Sequence, residues 1–215
     1  MTRLLFISAA ILAGCSTSSM VRNPAQTSDS DTVTQKELDA DVEEIYELFK
    51  GVITSRHGNS GSGVDRPVFV KTHGCATGTF TIAKDLPEVY RQGLFATPDS
   101  KQVWVRFSSD TVKATPDKKG STVGLAIKVL NVPGRKVLAG EEDSTSQDFL
   151  LQNHHVFFVD NARQFLHIFD GKHPDFDSQH PEFKQILNVD MKKKVSNVLM
   201  TQYWSTLPYA LGEKD

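Results

Sequence analysis

Residues 66–80 read RPVFVKTHGCATGTF, and the rhythm of this stretch decides the fold. Residues 67–71 are apolar and of extended type, with strand-forming Val68, Phe69 and Val70 behind Pro67. Residues 76–82 alternate small or polar with apolar side chains, the two-residue period of a half-buried strand. The same period returns at 102–108 (QVWVRFS), and residues 125–130 read as a further strand. Short extended pieces follow at 148–151 and 156–159, around a polar centre. Between the first two strands, residues 86–95 suggest a short helix that begins after Asp85. On the N-terminal side the period changes to that of a helix. Thr34 and Glu37 have capping-box spacing, and Leu38, Val42, Ile45, Phe49 and Ile53 fall on one helical face. A Gly/Ser turn at 58–63 closes that helix. From Asn161 onward the pattern is helical again, through Phe165, Ile168 and Phe169, then Phe183, Ile186 and Leu187, and on to 195–200. Strands in the middle and helices at both ends indicate one α+β domain over residues 34–215.

Ahead of that domain, Arg3 supplies a positive charge and residues 4–12 form an apolar run too short to span a bilayer. Leu12-Ala13-Gly14-Cys15 follows, and this pattern resembles a bacterial lipobox. The resemblance implies a signal peptide over 1–14 and a lipidated Cys15, with acyl chains enough for stable membrane anchoring. Ser16 after the cysteine is compatible with sorting to the outer membrane, facing the periplasm. Residues 15–33, rich in Ser, Thr, Asp and Asn, read as a flexible tether. With Cys15 acylated, Cys75 has no partner in this chain and reads as a buried small apolar residue.

The net charge of −2 gives no reason to expect a polyanionic partner, which disfavours nucleic acid. Phosphate-loop, CxxC, HExxH and GxSxG motifs are absent from the sequence. His154 and His155 are adjacent, so on a strand they point to opposite faces and do not chelate one metal together. His173 and His180 sit among Asp and Pro in a surface-loop context, and His167 reads as a helix-face residue. No metal site is assigned, and the sequence leaves the oligomeric state open.

Four segments in order carry a family resemblance. They are residues 66–80, Trp104-Val-Arg-Phe-Ser108, Gly124-Leu-Ala-Ile-Lys128, and Asp148-Phe-Leu-Leu-Gln-Asn153 followed by Val156-Phe-Phe-Val159. Together they resemble the strands of the catalase-related haem proteins, and Lys71-Thr-His-Gly-Cys75 with Gln147-Asp-Phe-Leu-Leu151 favours the small bacterial branch. The resemblance implies a catalase-type antiparallel β-barrel with flanking helices. It implies haem as cofactor and hydrogen peroxide or an organic hydroperoxide as substrate. Arg66 and Arg106 match arginines that pair with haem propionates, a charge-assisted contact that offsets desolvation. Asn153 matches the distal asparagine that orients peroxide, and Ser108 the serine that supports the distal histidine. Phe158 and Phe165 match aromatics packed near the porphyrin.

The departures bear on activity. Phe69 stands where the resemblance expects the distal histidine, and a phenyl ring cannot shuttle the proton that O–O cleavage needs. His73, four residues further on, lies about 13 Å away along an extended chain, too far for that role without a sharp bulge. Ser121 and Val123 replace an Asp-x-Arg pair. The family's axial tyrosine lies well downstream of the barrel, whereas Tyr203-Trp-Ser and residues 208–212 look like a mid-domain motif. The expectation is therefore a barrel incomplete at its C-terminal side, with Tyr203 and Tyr209 as the candidate tyrosines and the axial ligand unidentified. Two functions remain in view: a haem protein with weak or lost peroxide activity, and a non-catalytic envelope lipoprotein in which Phe69 helps make an apolar cavity for a small hydrophobic ligand.

Overall fold

The computed structural model of the chain describes residues 34–57, 66–111, 115–117, 119–138, 140–209 and 211–212. The signal peptide over 1–14, the lipidated Cys15, the tether over 15–33 and the turn at 58–63 lie outside the described residues. The chain divides into two units, Met1–Thr34 and Gln35–Asp215, and the fold below is that of the second.

Helix α1 spans Gln35–His57. Its apolar residues recur every three or four positions, and Leu38, Ile45, Leu48, Phe49, Val52 and Ile53 form the shielded stripe. Val42, expected on that stripe, is exposed; Asp41 takes the inward place instead, because Arg163 Nε donates to its carboxylate at 3.0 Å. No described helix is long and apolar enough to cross a membrane.

Five strands follow: β1 (Lys71–Thr81), β2 (Ser100–Ser109), β3 (Val123–Leu130), β4 (Ser146–Gln152) and β5 (Trp204–Ser205). They pair antiparallel in the order β1-β2-β3-β4-β5, and among the described residues the sheet is open. The protein is thus α+β, with a five-stranded antiparallel sheet. Helices α2 (Ala162–Phe169), α3 (Phe176–Gln179) and α4 (Pro181–Lys184) come after β4, ahead of a π-helical turn, Gln185–Asp190.

Three expected elements take other forms. Residues 67–69 bend instead of extending, and the strand begins only at Lys71. The helix expected over 86–95 is two separate 3-10 turns, Glu88–Tyr90 and Gly93–Phe95, because Gln92 between them is extended and Gly93 opens the second at φ +53. Residues 156–159 form no strand; they follow a bend at 153–156 and run into Asn161, whose side chain caps α2 by accepting from the Gln164 amide at 3.0 Å.

One sheet face carries the core. Val103 and Val129 are buried with Val132, and Phe80, Leu94, Val105, Ile127 and Phe149 pack around them. The Phe80 and Phe149 rings stack at 6.1 Å, and Phe95 of the second 3-10 turn closes on Phe80 at 6.2 Å. A separate aromatic cluster joins α1 to the later helices through Phe49, Phe157, Phe158, Phe165, Phe169 and Phe183.

Candidate functional site

Side chains directly paired across an antiparallel sheet share a face. The face opposite the core therefore presents ordered rows. Cys75, Arg106, Ala126 and Leu150 form one, and Thr77, Trp104, Lys128 and Asp148 the next. Together with Arg66 these rows line a hollow of about 740 Å³. That volume lies in the range of small-molecule and cofactor sites. Its floor is apolar, with Trp104 57% and Leu150 52% exposed. Lys128 and Asp148 neutralise each other at 2.8 Å, which leaves the two arginines as the dominant charge.

Arg106 is aimed by two contacts. Its Nη2 donates to the Phe69 carbonyl at 2.7 Å and to Thr72 Oγ1 at 3.0 Å. Burial and the neighbouring Arg66 charge pull its guanidinium below its ordinary value, with Cys75 acting the other way. It stays cationic, since an arginine begins so far above neutrality. Cys75, expected to be buried, is exposed. The strand register sets it beside Arg106 on the open face, not among the valines of the core.

The third row is Thr72, Ser108, Gly124 and Gln152, at the end of the hollow. Ser108 and Gln152 are buried there, and the Phe69 ring lies on Gly124. A Cβ on Gly124 would come within 2.7 Å of Phe69 Cε1, so only glycine admits the ring. Phe69 itself takes φ +50, in the left-handed region.

The remaining site residues of the sequence reading lie elsewhere. Asn153 is not among the residues of the hollow. Its Oδ1 accepts from the Val123 amide at 3.1 Å and its Nδ2 donates to the Met191 carbonyl at 2.9 Å. Phe158 and Phe165 belong to the helical aromatic cluster, 5.9 Å apart. Tyr203 donates to the Val198 carbonyl at 3.0 Å, and burial pushes its phenol up to about 12. Tyr209 accepts from the Leu150 amide at 3.2 Å. Neither tyrosine lines the hollow. His154 and His155 sit on a bend, not a strand, so their rings lie 4.5 Å apart rather than on opposite faces. Among the described residues, no group of three or more His, Cys, Asp or Glu is arranged to hold a metal ion.

Cys75, Trp104, Lys128, Asp148 and Leu150 were not singled out as site residues by sequence reasoning. The two-residue alternation that links Trp104 to Arg106 is the signal that finds them, once the register of neighbouring strands is known. Compared with known proteins, the chain matches no family model and no curated sequence.

Proposed function

We propose that the open face of the sheet is a binding site for an amphipathic molecule that carries carboxylates, with haem the first member of that class. In this reading the five strands are the barrel-forming set of a catalase-type fold, and turnover of peroxide or hydroperoxide is weak or lost. The observation that carries it is the convergence of Arg66 and Arg106 on one hollow with an apolar floor.

The residues fit such a group in three respects. Two guanidiniums suit two carboxylates, since paired charge-assisted bonds offset the loss of water from both partners. Trp104, Ala126 and Leu150 offer a surface for a flat apolar body. Cys75 is the one sulfur, imidazole or phenol side chain among the lining residues, and a thiol is a known type of haem-iron donor. Bound haem would supply the redox chemistry that peroxide reduction needs. What the chain's residues do is bind and orient. Arg106, held by Phe69 and Thr72, presents its charge to an incoming carboxylate. No lining residue is a histidine, and Phe69 offers no proton, so the acid–base group of peroxide cleavage is missing.

Titration of the purified protein with haem, followed by absorbance, tests the proposal. A saturable Soret shift is expected, and Arg106→Ala should weaken binding about tenfold or more, the worth of one charged hydrogen bond. Absence of a Soret shift, or unchanged affinity in an Arg66→Ala/Arg106→Ala double variant, overturns it. A second reading is favoured by Phe69, whose ring seats on Gly124 in the row beyond the hollow and supplies no acid–base group. There the ligand is a small metal-free hydrophobe. Saturable binding of a fluorescent fatty acid by protein that gives no Soret shift selects that reading. Peroxide turnover abolished by Arg106→Ala rules it out.

A further inference from the structure

A second pocket, outside the hollow, is built around a bulge in β1. Thr72 pairs with Ser108 and Gly74 with Phe107, so His73 has no partner residue on β2. Bulges of this kind re-aim one side chain and recur beside functional sites. Here the bulge turns His73 toward Asp117, whose Oδ1 lies 3.8 Å from His73 Nδ1. The result is a pocket of about 250 Å³, walled on one side by Asp117, Lys119, Ser121 and Val123 and on the other by residues 195–198.

The first wall is fastened to the segment that leads into the second. Asn153 ties the two, accepting from the Val123 amide and donating to the Met191 carbonyl. Gly120 lets the backbones meet, since a Cβ there would stand 1.9 Å from the Lys192 carbonyl oxygen. Both contacts hold the first wall against residues 191–192.

Its lining is rich in donors. Ser121 and Ser196 bring hydroxyls, Lys119 an ammonium group and His73 a ring N–H. Asn197 Oδ1 accepts from the Leu199 amide at 2.9 Å, so its NH2 end is the part left to donate. The one carboxylate, Asp117, is paired with Lys71, whose hydrogen bond and charge hold it below the usual carboxylate range. An ammonium group, a ring N–H, an amide NH2 and two hydroxyls thus border a space sized for a few heavy atoms.

We propose that this pocket is a binding site for a small oxyanion of the phosphate or carboxylate type. The two probes are inorganic phosphate and acetate, titrated separately and followed by the His73 ring resonances and by calorimetry. Saturable binding of at least one is expected. Asn197→Asp keeps the cap on Leu199 but replaces the NH2 donor with a repelling carboxylate, and should weaken that binding at least tenfold. Ser196→Ala, a mild change at the same wall, should weaken it several-fold. Failure of both probes to saturate overturns the proposal. So does full binding in Asn197→Asp, or loss of binding in Arg106→Ala instead, which would locate the anion in the hollow.

Discussion

At the scale of the residue, Phe69 carries the most information. A non-glycine residue at positive φ costs on the order of 1–2 kcal/mol. Here its carbonyl meets a guanidinium and its ring meets a glycine, and the two contacts outweigh that cost. Each neighbour of Phe69 is a strand former, so the sequence reads as a strand; the bend comes from Arg106, 37 residues away. Gly124→Ala should force the ring off its seat and lower stability by about 1–3 kcal/mol in urea unfolding. An unchanged midpoint would mean that the ring is not held there. Asn153 shows the same limit. The resemblance implies a distal polar group there, but two backbone groups, at Val123 and Met191, take up its side chain.

Among elements, the extended segments at 102–108, 125–130 and 148–151 were legible, and those at 67–69 and 156–159 were not. The alternation at 102–108 and the extended segments at 125–130 and 148–151 became β2, β3 and β4, and the helical stripe after Thr34 became α1. The segment 86–95 carries no cap, and Gly93 breaks it. The bulge at His73 leaves no local signature, because it exists only relative to β2. The docking of α1 on α2 carries a charge cluster that should respond to pH. Arg163 reaches Asp41, and Lys172 reaches Glu44. The His167 ring stacks on His173 at 3.5 Å, and His173 Nδ1 contacts Asp170 at 3.0 Å. Burial first, and the His173 charge next, hold His167 below its ordinary value, while Asp170 and Asp41 oppose this. A histidine lowered in the folded state is protonated first in the unfolded chain. Stability is then full above about pH 6.5 and is lost as pH falls toward the folded value. Urea unfolding at pH 7 and pH 5 should show a larger loss for the wild type than for His167→Gln. Equal losses would remove His167 as the cause.

For the whole molecule, the two faces of the sheet have different work. Val129 is fully buried, whereas Lys128, its neighbour in β3, stands on the open face in a partly exposed ion pair. Val129→Ala should cost about 2 kcal/mol, from lost burial and an unfilled cavity. Lys128→Ala should cost under about 1 kcal/mol, the worth of a surface pair. Thermal or urea unfolding of both variants checks the assignment of faces, and comparable losses would contradict it. Phe158 and Phe165 belong to the aromatic cluster of the helices, apart from both the valine core and the hollow.

What the amino-acid order determined by itself is local: where the chain is extended, where it is helical, and that Trp104 and Arg106 alternate with the valines of their strand. Period and propensity act between near neighbours, so they can be read along the chain. Only the tertiary structure decided which strand faces which, and so that Arg66, Arg106 and Cys75 share a hollow while Asn153 fastens a different pocket. Those outcomes depend on register and on backbone groups far apart in sequence seeking partners, a constraint that exists only once the chain has closed on itself.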